Sequence, residues 1–390
     1  MPLQMDERPT KIAILGGYGN TGAKIAAHLA RLGGFEVAIL GRDVSRARAL
    51  AARIEATTGA TVSGGRADAA DPASLRNALF GADLVLSATS DTEHAVDVAR
   101  VALELGCDYA DTHLSSPKKW AALRGLDEQI GERGLCFLSD GGAHPGLPAV
   151  MVRAVGADRA LETAAVLGSF NIDWTGLNFG SNAPDDFVAE LRDFNPSAWV
   201  DGRWRSSWRN RRTHDFGPPA NGQDCIAMNL EEMHVLPGLF PTLREAGFFV
   251  GGFGGPIDAV VMPACLLALK LWPGQSGRIG RAFLGAMKRW APKARWAILD
   301  LEATGHRGQH STRVSLRVAH PDAYELTALA VVATLVQYRQ GPRRPGLWTQ
   351  AAFVDPAACL AFLEAHGVEV RVEAVEGPDA AARRRTPPHG

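Results

Sequence analysis

The chain has 390 residues, 46% hydrophobic and 21% charged, a balance that excludes general disorder and, at about 150 residues per domain, allows two or three domains. Its 41 basic and 42 acidic residues leave a net charge of −1, which supplies no overall field to hold nucleic acid or a membrane surface. Five scattered cysteines without a CxxC pair fit a reducing cytosol, and a polar start, MPLQMDERPTK, with no apolar run longer than 259–269 predicts a cytoplasmic protein without a membrane span.

Residues 11–140 alternate short apolar runs with helical patterns. KIAIL (11–15), EVAIL (36–40), ATVSG (60–64), DLVLSAT (83–89), DYADT (108–112) and LCFLS (135–139) read as strands. Between them apolar residues recur at spacings of three and four, as in Ile25, Leu29 and Leu32 and in Val98, Val101 and Leu105, the period of helices packed by one face. Asp71 before Pro72 opens one helix, and Gly106 closes another. Repeated βα units with short loops predict an α/β fold, a doubly wound parallel sheet of Rossmann type with helices on both faces.

After a Gly-Ala-His-Pro-Gly turn at 142–146 the rhythm changes. A helix near 147–156 leads to a strand around 163–170, and an irregular Trp- and Arg-rich stretch runs to about residue 230. Four glycines at 251–255 precede an apolar helix at 257–271, and a second apolar helix covers 322–339. Alternating runs at 295–304 and 311–319 predict a hairpin turning at Gly305-His306-Arg307-Gly308. The expected division is a first domain at 9–148, a second, α+β domain with a partly antiparallel sheet at 149–320, and a disordered tail at 378–390.

The first strand runs into GGYGNTG and then a helix, so Gly17, Gly19 and Gly22 fit G-x-G-x-x-G in the required context. The first glycine allows the tight turn, the second lets a pyrophosphate approach the backbone, and the third lets helix and strand pack closely. Tyr18, Asn20 and Thr21 share that turn. An NAD site ends the second strand with an acid for the ribose 2′-hydroxyl. Here the strand ends Leu40-Gly41-Arg42, with Arg46 one helical turn on, and guanidinium groups there favour NADP (NADPH) over NAD. Asp43 reads either as a helix N-cap or as a ribose ligand. Thr89, Ser90, Asp111 and Thr112 follow later strands and line the cofactor on this reading, with Asp68 near the adenine. For Asp68 and Asp111, capping a helix or turn is an equal reading.

Further along, Arg203, Arg205, Arg209, Arg211 and Arg212 are interleaved with Trp204 and Trp208. A solvated hairpin is the commonest fate of such a run, with a carboxylate-binding loop and a weak anionic-surface patch as the other readings. Arg203 or Arg205 is the expected anchor if substrate binds there. Asp173 and Trp174 offer polar groups and an aromatic wall, the usual make-up of a pocket. The glycines at 251–255 read as a lid or as a loop needing positive φ. His306 and His310 lack further ligands of metal geometry, so no metal is expected. The apolar stripes at 257–271 and 326–336 read as core or dimer contact rather than membrane contact. No Lys stands four positions after Tyr18, Tyr109, Tyr324 or Tyr338, which excludes the Tyr-x-x-x-Lys mechanism of short-chain dehydrogenases.

Taken together, GGYGNTG, GR-x₃-RA (42–47), DLVLSAT, LGCDYADT (105–112), GGAHPGL (141–147), HPDAYELTA (320–328) and PGLWTQ…VDP (345–356) resemble the saccharopine dehydrogenase (saccharopine reductase)-like family. The resemblance implies a Rossmann domain, an inserted substrate and dimerisation domain, and a segment at 321–377 that returns to the first domain. It also implies a cytoplasmic homodimer acting on a small molecule with amino and carboxylate groups. The chemistry implied is NAD(P)-dependent oxidoreduction at CH–NH bonds, with hydride passing to or from an imine. Where the family's turn usually carries Asp before Pro-Gly, this chain has His144, expected either to donate a proton during reduction or to be hydrogen-bonded within the turn. Two other readings stand beside this one: reduction of a C=C or C=O bond on a lipid or secondary metabolite, and a non-catalytic NADP-binding sensor.

Overall fold

The computed structural model describes residues 8–89, 94–172, 174, 194–253 and 257–377. The chain divides into two compact units, one of residues 1–147 with 324–366 and one of 148–323 with 367–390. The first begins with β1 (Thr10–Leu15), α1 (Asn20–Leu32), β2 (Phe35–Gly41), α2 (Val44–Thr58) and β3 (Val62–Arg66). It continues through α3 (Pro72–Leu79), β4 (Leu84–Ser87), α4 (Ala95–Leu105), β5 (Asp108–Asp111), α5 (Pro117–Arg124), α6 (Asp127–Glu132) and β6 (Cys136–Ser139).

Each helix follows from local signals. α1 buries Ile25, Ala26, Leu29 and Ala30 on one stripe and stops at Gly33, whose φ of 73° a side chain would resist. α2 starts where the Asp43 carboxylate accepts from the Ser45 and Arg46 amides, which settles that residue as an N-cap. β4 to β6 are buried at every position, as befits strands covered on both faces.

From the first unit, α7 (Leu147–Val155) leads into β7 (Ala160–Asn171). β8 (Ser197–Val200), β9 (Arg203–Ser206), β10 (Arg211–Asp215), β11 (Gly222–Met228) and β12 (Glu245–Gly251) follow. Then come α8 (Met262–Leu271), α9 (Ser276–Trp290), β13 (Trp296–Arg307) and β14 (His310–His320). The hairpin turn is tighter than expected: Arg307 pairs with His310, leaving only Gly308 and Gln309 between the strands. Gly305 belongs to β13, where a Cβ would lie 2.2 Å from the Ala160 oxygen of β7. Its role is close backbone approach at a shift of register.

The chain then re-enters the first unit through α10 (Ala323–Gln340), β15 (Gly346–Thr349), α11 (Gln350–Phe353) and α12 (Pro356–Ala365). β15 completes a seven-stranded sheet of order β15-β6-β5-β4-β1-β2-β3, in which every pairing is parallel. The chain order reverses between β1 and β4, and in such sheets the ligand crevice lies beyond the strand ends at that point. The stripe at 326–336 is core, with Leu326, Leu329, Val332 and Leu335 buried. Buried Asp108 fastens the returning segment, accepting from the Cys136 amide at 2.8 Å, from Arg343 at 2.7 Å and from the Tyr338 hydroxyl.

One boundary differs from expectation. The last strand, β16 (Glu369–Glu376), pairs antiparallel with β14, so residues 367–377 belong to the second unit rather than to the returning segment. Its partner would otherwise be an open edge. The second sheet runs β10-β11-β12-β7-β13-β14-β16, with β8 and β9 attached beside β12. Only β12 and β7 are parallel neighbours in that order.

Gly64 fixes how closely α2 lies on β3, because a Cβ there would sit 2.5 Å from the Arg48 nitrogen and 2.6 Å from the Ala47 carbonyl carbon. Backbone cannot swing aside as a side-chain tip can. Gly64→Ala is therefore expected to cost about 1–3 kcal/mol, read as a lower urea midpoint with an unchanged slope.

Candidate dinucleotide site

The glycine turn after β1 is built from contacts that no side chain tolerates. Gly16 sits at φ 71°, and a Cβ there would be 2.6 Å from the Ala88 oxygen at the end of β4. A Cβ on Gly17 would meet the Ile14 oxygen at 2.7 Å, and one on Gly22 the Gly16 oxygen at 2.4 Å. Gly19 is looser, with its nearest neighbour at 3.0 Å. It stands at the N-cap of α1, and no side chain caps the helix, so the first-turn amides around Asn20 and Thr21 are left for an anion. Tyr18 leans the other way. Its hydroxyl accepts from the Asp43 amide at 3.0 Å, and Arg46 lies 4.7 Å over its ring.

Beyond the ends of β2 and β3 a surface cavity of about 550 Å³ is lined by Tyr18, Arg42, Asp43, Val44, Ser45, Arg46 and Arg66. Arg66 was not expected there. Parallel pairing sets it opposite Gly41, because β3 runs two residues past the predicted strand. Three guanidinium groups outnumber the single Asp43 carboxylate around this cavity, and Asp43 Oδ1 caps α2, a balance that suits a dianion such as a 2′-phosphate. Asp68 lies in the turn after β3 and accepts from the Ala70 amide at 3.2 Å, which is the turn-capping alternative.

On the other side of β1, the ends of β5 and β6 hold a buried ionic network that no sequence motif announces. Ser116 and Pro117 start α5, and the Ser116 hydroxyl accepts from the Lys119 amide. That fixes Lys119 on the inner face, where its ammonium donates to Asp111 at 3.0 Å, Asp140 at 2.7 Å and the His113 carbonyl at 3.1 Å. All three ammonium protons are thus used. Asp111 also accepts from Ser139 at 2.7 Å and Tyr109 at 3.0 Å. Asp140 accepts from Trp120 at 3.0 Å and from Ser115.

Burial alone raises the Asp111 carboxyl pKa, but Lys119, aided by His113 and Ser139, outweighs it and holds the group below the ordinary range. Burial likewise opposes the Lys119 charge, and Asp111 and Asp140 more than restore it. The Asp111 side chain has no exposed surface, and besides serving this network it accepts from the His113 amide at 3.1 Å, which is the turn-capping alternative. Thr89 follows the end of β4, next to the switch in strand order. His113 Nε2 lies 3.1 Å from its carbonyl and 3.3 Å from its hydroxyl, which ties the loop after β4 to β5.

The turn at 140–146 continues from this network. Asp140 and Gly142 take positive φ angles of 61° and 133°, and Gln350 from the returning segment clamps Gly142, accepting from its amide and donating to its carbonyl at 3.0 Å each. A Cβ on Gly146 would lie 2.2 Å from the Gly142 oxygen. The His144 ring is densely enclosed, and loss of hydration lowers its pKa to about 4. A ring with that pKa is neutral at pH 7.

In the second unit, Arg203 and Arg205 stand on a β8–β9 hairpin turning at Asp201 and Gly202. Arg203 is exposed, and Arg205 pairs with Asp201 at 3.3 Å, the pattern of a solvated hairpin. Trp174 donates to Asn171 and packs edge-on against Phe253 at 5.9 Å, within an apolar cluster of Ile257, Cys265, Phe283 and Met287. Ser90, Asp173, Gly254 and Gly255 lie outside the described residues. Among the described residues, no group of three His, Cys, Asp or Glu side chains has a geometry to hold a metal, and no helix is long and apolar enough to cross a membrane.

Residues 12–137 match the family model for the saccharopine dehydrogenase NADP binding domain. Among solved structures, apo saccharopine dehydrogenase (L-Glu forming) from Saccharomyces cerevisiae aligns over 94% of this chain and 100% of its own, with a TM-score of 0.64 at 13% identity. An amine dehydrogenase from Mycobacterium smegmatis aligns over 90% of this chain and 97% of its own, with a TM-score of 0.44 at 15% identity. A short-chain dehydrogenase from Rhodopseudomonas palustris covers 34% of this chain and 84% of its own, with a TM-score of 0.28 at 18% identity. The yeast comparison shows a shared fold.

Removing the Lys119 charge leaves two buried carboxylates facing each other, so Lys119→Met is expected to lose about 3–5 kcal/mol at neutral pH. In the wild type, the lowered Asp111 pKa adds stability above its unfolded value near 4, and that contribution is lost as pH falls through the folded value. In the variant the sign reverses, because protonating an unpaired buried carboxylate relieves it. Denaturation across pH 4–7 is therefore expected to show the gap between the two proteins narrowing toward acid.

Proposed function

From a chain whose residues 12–137 place it with the saccharopine dehydrogenase-like, NADP-binding family and whose fold is that of saccharopine dehydrogenase, we infer an NADPH-dependent oxidoreductase that interconverts an imine and a secondary amine of amino-acid type. The observation that carries the cofactor half is the cavity lined by Arg42, Arg46 and Arg66 at the ends of β2 and β3. The family description and the yeast enzyme, a dehydrogenase forming L-glutamate, support an amino-acid-type substrate.

The residues fit the dinucleotide by their own geometry. Gly16, Gly17 and Gly22 leave a cradle that a Cβ would fill, and the uncapped α1 amides are suited to a pyrophosphate. Arg42, Arg46 and Arg66 hold the 2′-phosphate, with Tyr18 beneath Arg46 keeping that guanidinium in place. Asp43 caps α2 through Oδ1 at the rim of the same cavity, one carboxylate against three guanidinium groups. At the other end of the switch in strand order, Lys119 fixes the ends of β5 and β6, and His113 holds the Thr89 backbone. When bound, the reduced nicotinamide supplies a hydride, which converts an iminium C=N to CH–NH. An iminium already carries its proton, so the chain needs no strong general acid, and the neutral His144 serves in the turn rather than in proton transfer.

Two expectations follow. Arg42→Ala, Arg46→Ala and Arg66→Ala are each expected to weaken NADPH about tenfold or more, the loss of a charge-assisted contact, while NADH affinity changes less than about twofold. Equal losses for both cofactors, measured by fluorescence titration, would overturn the assignment. NADPH oxidation with keto acids or aldehydes paired with amino acids is expected to yield secondary amines detectable by mass spectrometry. Turnover with a carbonyl or enoyl compound alone, and none with the pairs, would refute the imine reading.

A further inference from the structure

The second unit carries a surface that the dinucleotide chemistry does not use. Between Asp258 and Asp300 the chain has no acidic residue and seven basic ones: Lys270, Arg278, Arg281, Lys288, Arg289, Lys293 and Arg295. In a protein of net charge −1, that is a strongly one-sided segment. It folds as α8 and α9, which pack together through Cys265, Phe283, Leu284 and Met287.

α8 is apolar on its inner face and also on its outer one. Leu267 and Leu271 are 57% and 56% exposed, and with exposed Ala264 they recur at spacings of three and four, one stripe on the helical surface; Val260, 64% exposed, precedes it in the π-helical turn Ile257–Val261. Trp272, 60% exposed, and Trp290, 51% exposed, stand at the C-terminal ends of the two helices. Arg278, Arg281 and Lys288 share one face of α9. Scattered exposed apolar residues need no explanation. A stripe of them with two flanking tryptophans and seven cations does.

We propose that α8 and α9 form a peripheral membrane-docking surface, with the stripe of Ala264, Leu267 and Leu271 entering the headgroup boundary and the flanking lysines and arginines held by anionic lipid. Charge decides this occupant. The segment that carries the stripe holds seven cations and no acid between Asp258 and Asp300, a charge that an anionic leaflet attracts and that a second copy of the same segment repels. Tryptophan is also the side chain that prefers the headgroup level, and a helix with an apolar face and basic flanks lies in the interface plane rather than across it. The stripe at 257–271, expected to be core or dimer contact, is core along one side only.

Flotation of the full-length protein with vesicles tests this. Vesicles of phosphatidylcholine with about 30 mol% phosphatidylglycerol are expected to capture it, pure phosphatidylcholine to capture little, and about 0.5 M NaCl to weaken capture about tenfold. Leu267→Asn with Leu271→Asn, and separately Arg281→Glu with Arg289→Glu, are each expected to abolish capture while NADPH affinity and the thermal midpoint stay within error of wild type. Wild-type protein that stays with neither vesicle, or variants that still float, would overturn the proposal. So would a vesicle-free dimer that the Leu267→Asn, Leu271→Asn variant converts to monomer by light scattering, since the stripe would then be a self-interface.

Discussion

Where β1 gives way to α1, two stretches of backbone pass so closely that a single methyl on Gly22 would stand 2.4 Å from the Gly16 oxygen. That contact fixes the helix against the strand, points its uncapped first turn at the switch in strand order, and leaves Tyr18 free to reach the Asp43 amide. Gly41 completes the arrangement, since a Cβ there would meet the Tyr18 ring at 2.4 Å. The arginine cavity depends on the same crossing: Arg46 rests on Tyr18, and Arg42 follows directly from the strand that Gly17 and Gly41 allow to pack.

The two charged regions of this unit are built on opposite terms. Arg42, Arg46 and Arg66 face solvent around an open cavity, so their charge stays available to an incoming dianion. Lys119, by contrast, is fully enclosed and spends every proton on Asp111, Asp140 and the His113 carbonyl. A buried charge of that kind holds loops in one arrangement and binds nothing further. The first arrangement suits recognition of an anion, and the second holds the ends of β5 and β6 in one arrangement.

Much of this was legible along the chain because it depends on neighbours in sequence. The six βα repeats, the glycine turn and the placement of Arg42 and Arg46 all follow from period, capping and turn chemistry. What escaped depends on pairing between distant segments. Arg66 joins the cavity only because β3 continues to the level of Gly41, and a longer reading of that strand would have found it. Lys119 looks like any helix-surface lysine until Ser116 fixes which way α5 faces. The fate of β16 was hidden for the same reason, since an alternating strand gives no clue to which open edge it will cover.

In the proposed function the arginine cavity receives the 2′-phosphate. The most direct measurement is calorimetric titration of the wild-type protein with adenosine 2′,5′-bisphosphate and with adenosine 5′-monophosphate, which isolates that phosphate from the rest of the dinucleotide. Three guanidinium groups predict that the bisphosphate binds about 30-fold or more tightly, on the order of 2 kcal/mol of charge-assisted contact. Equal affinity for the two nucleotides would contradict it.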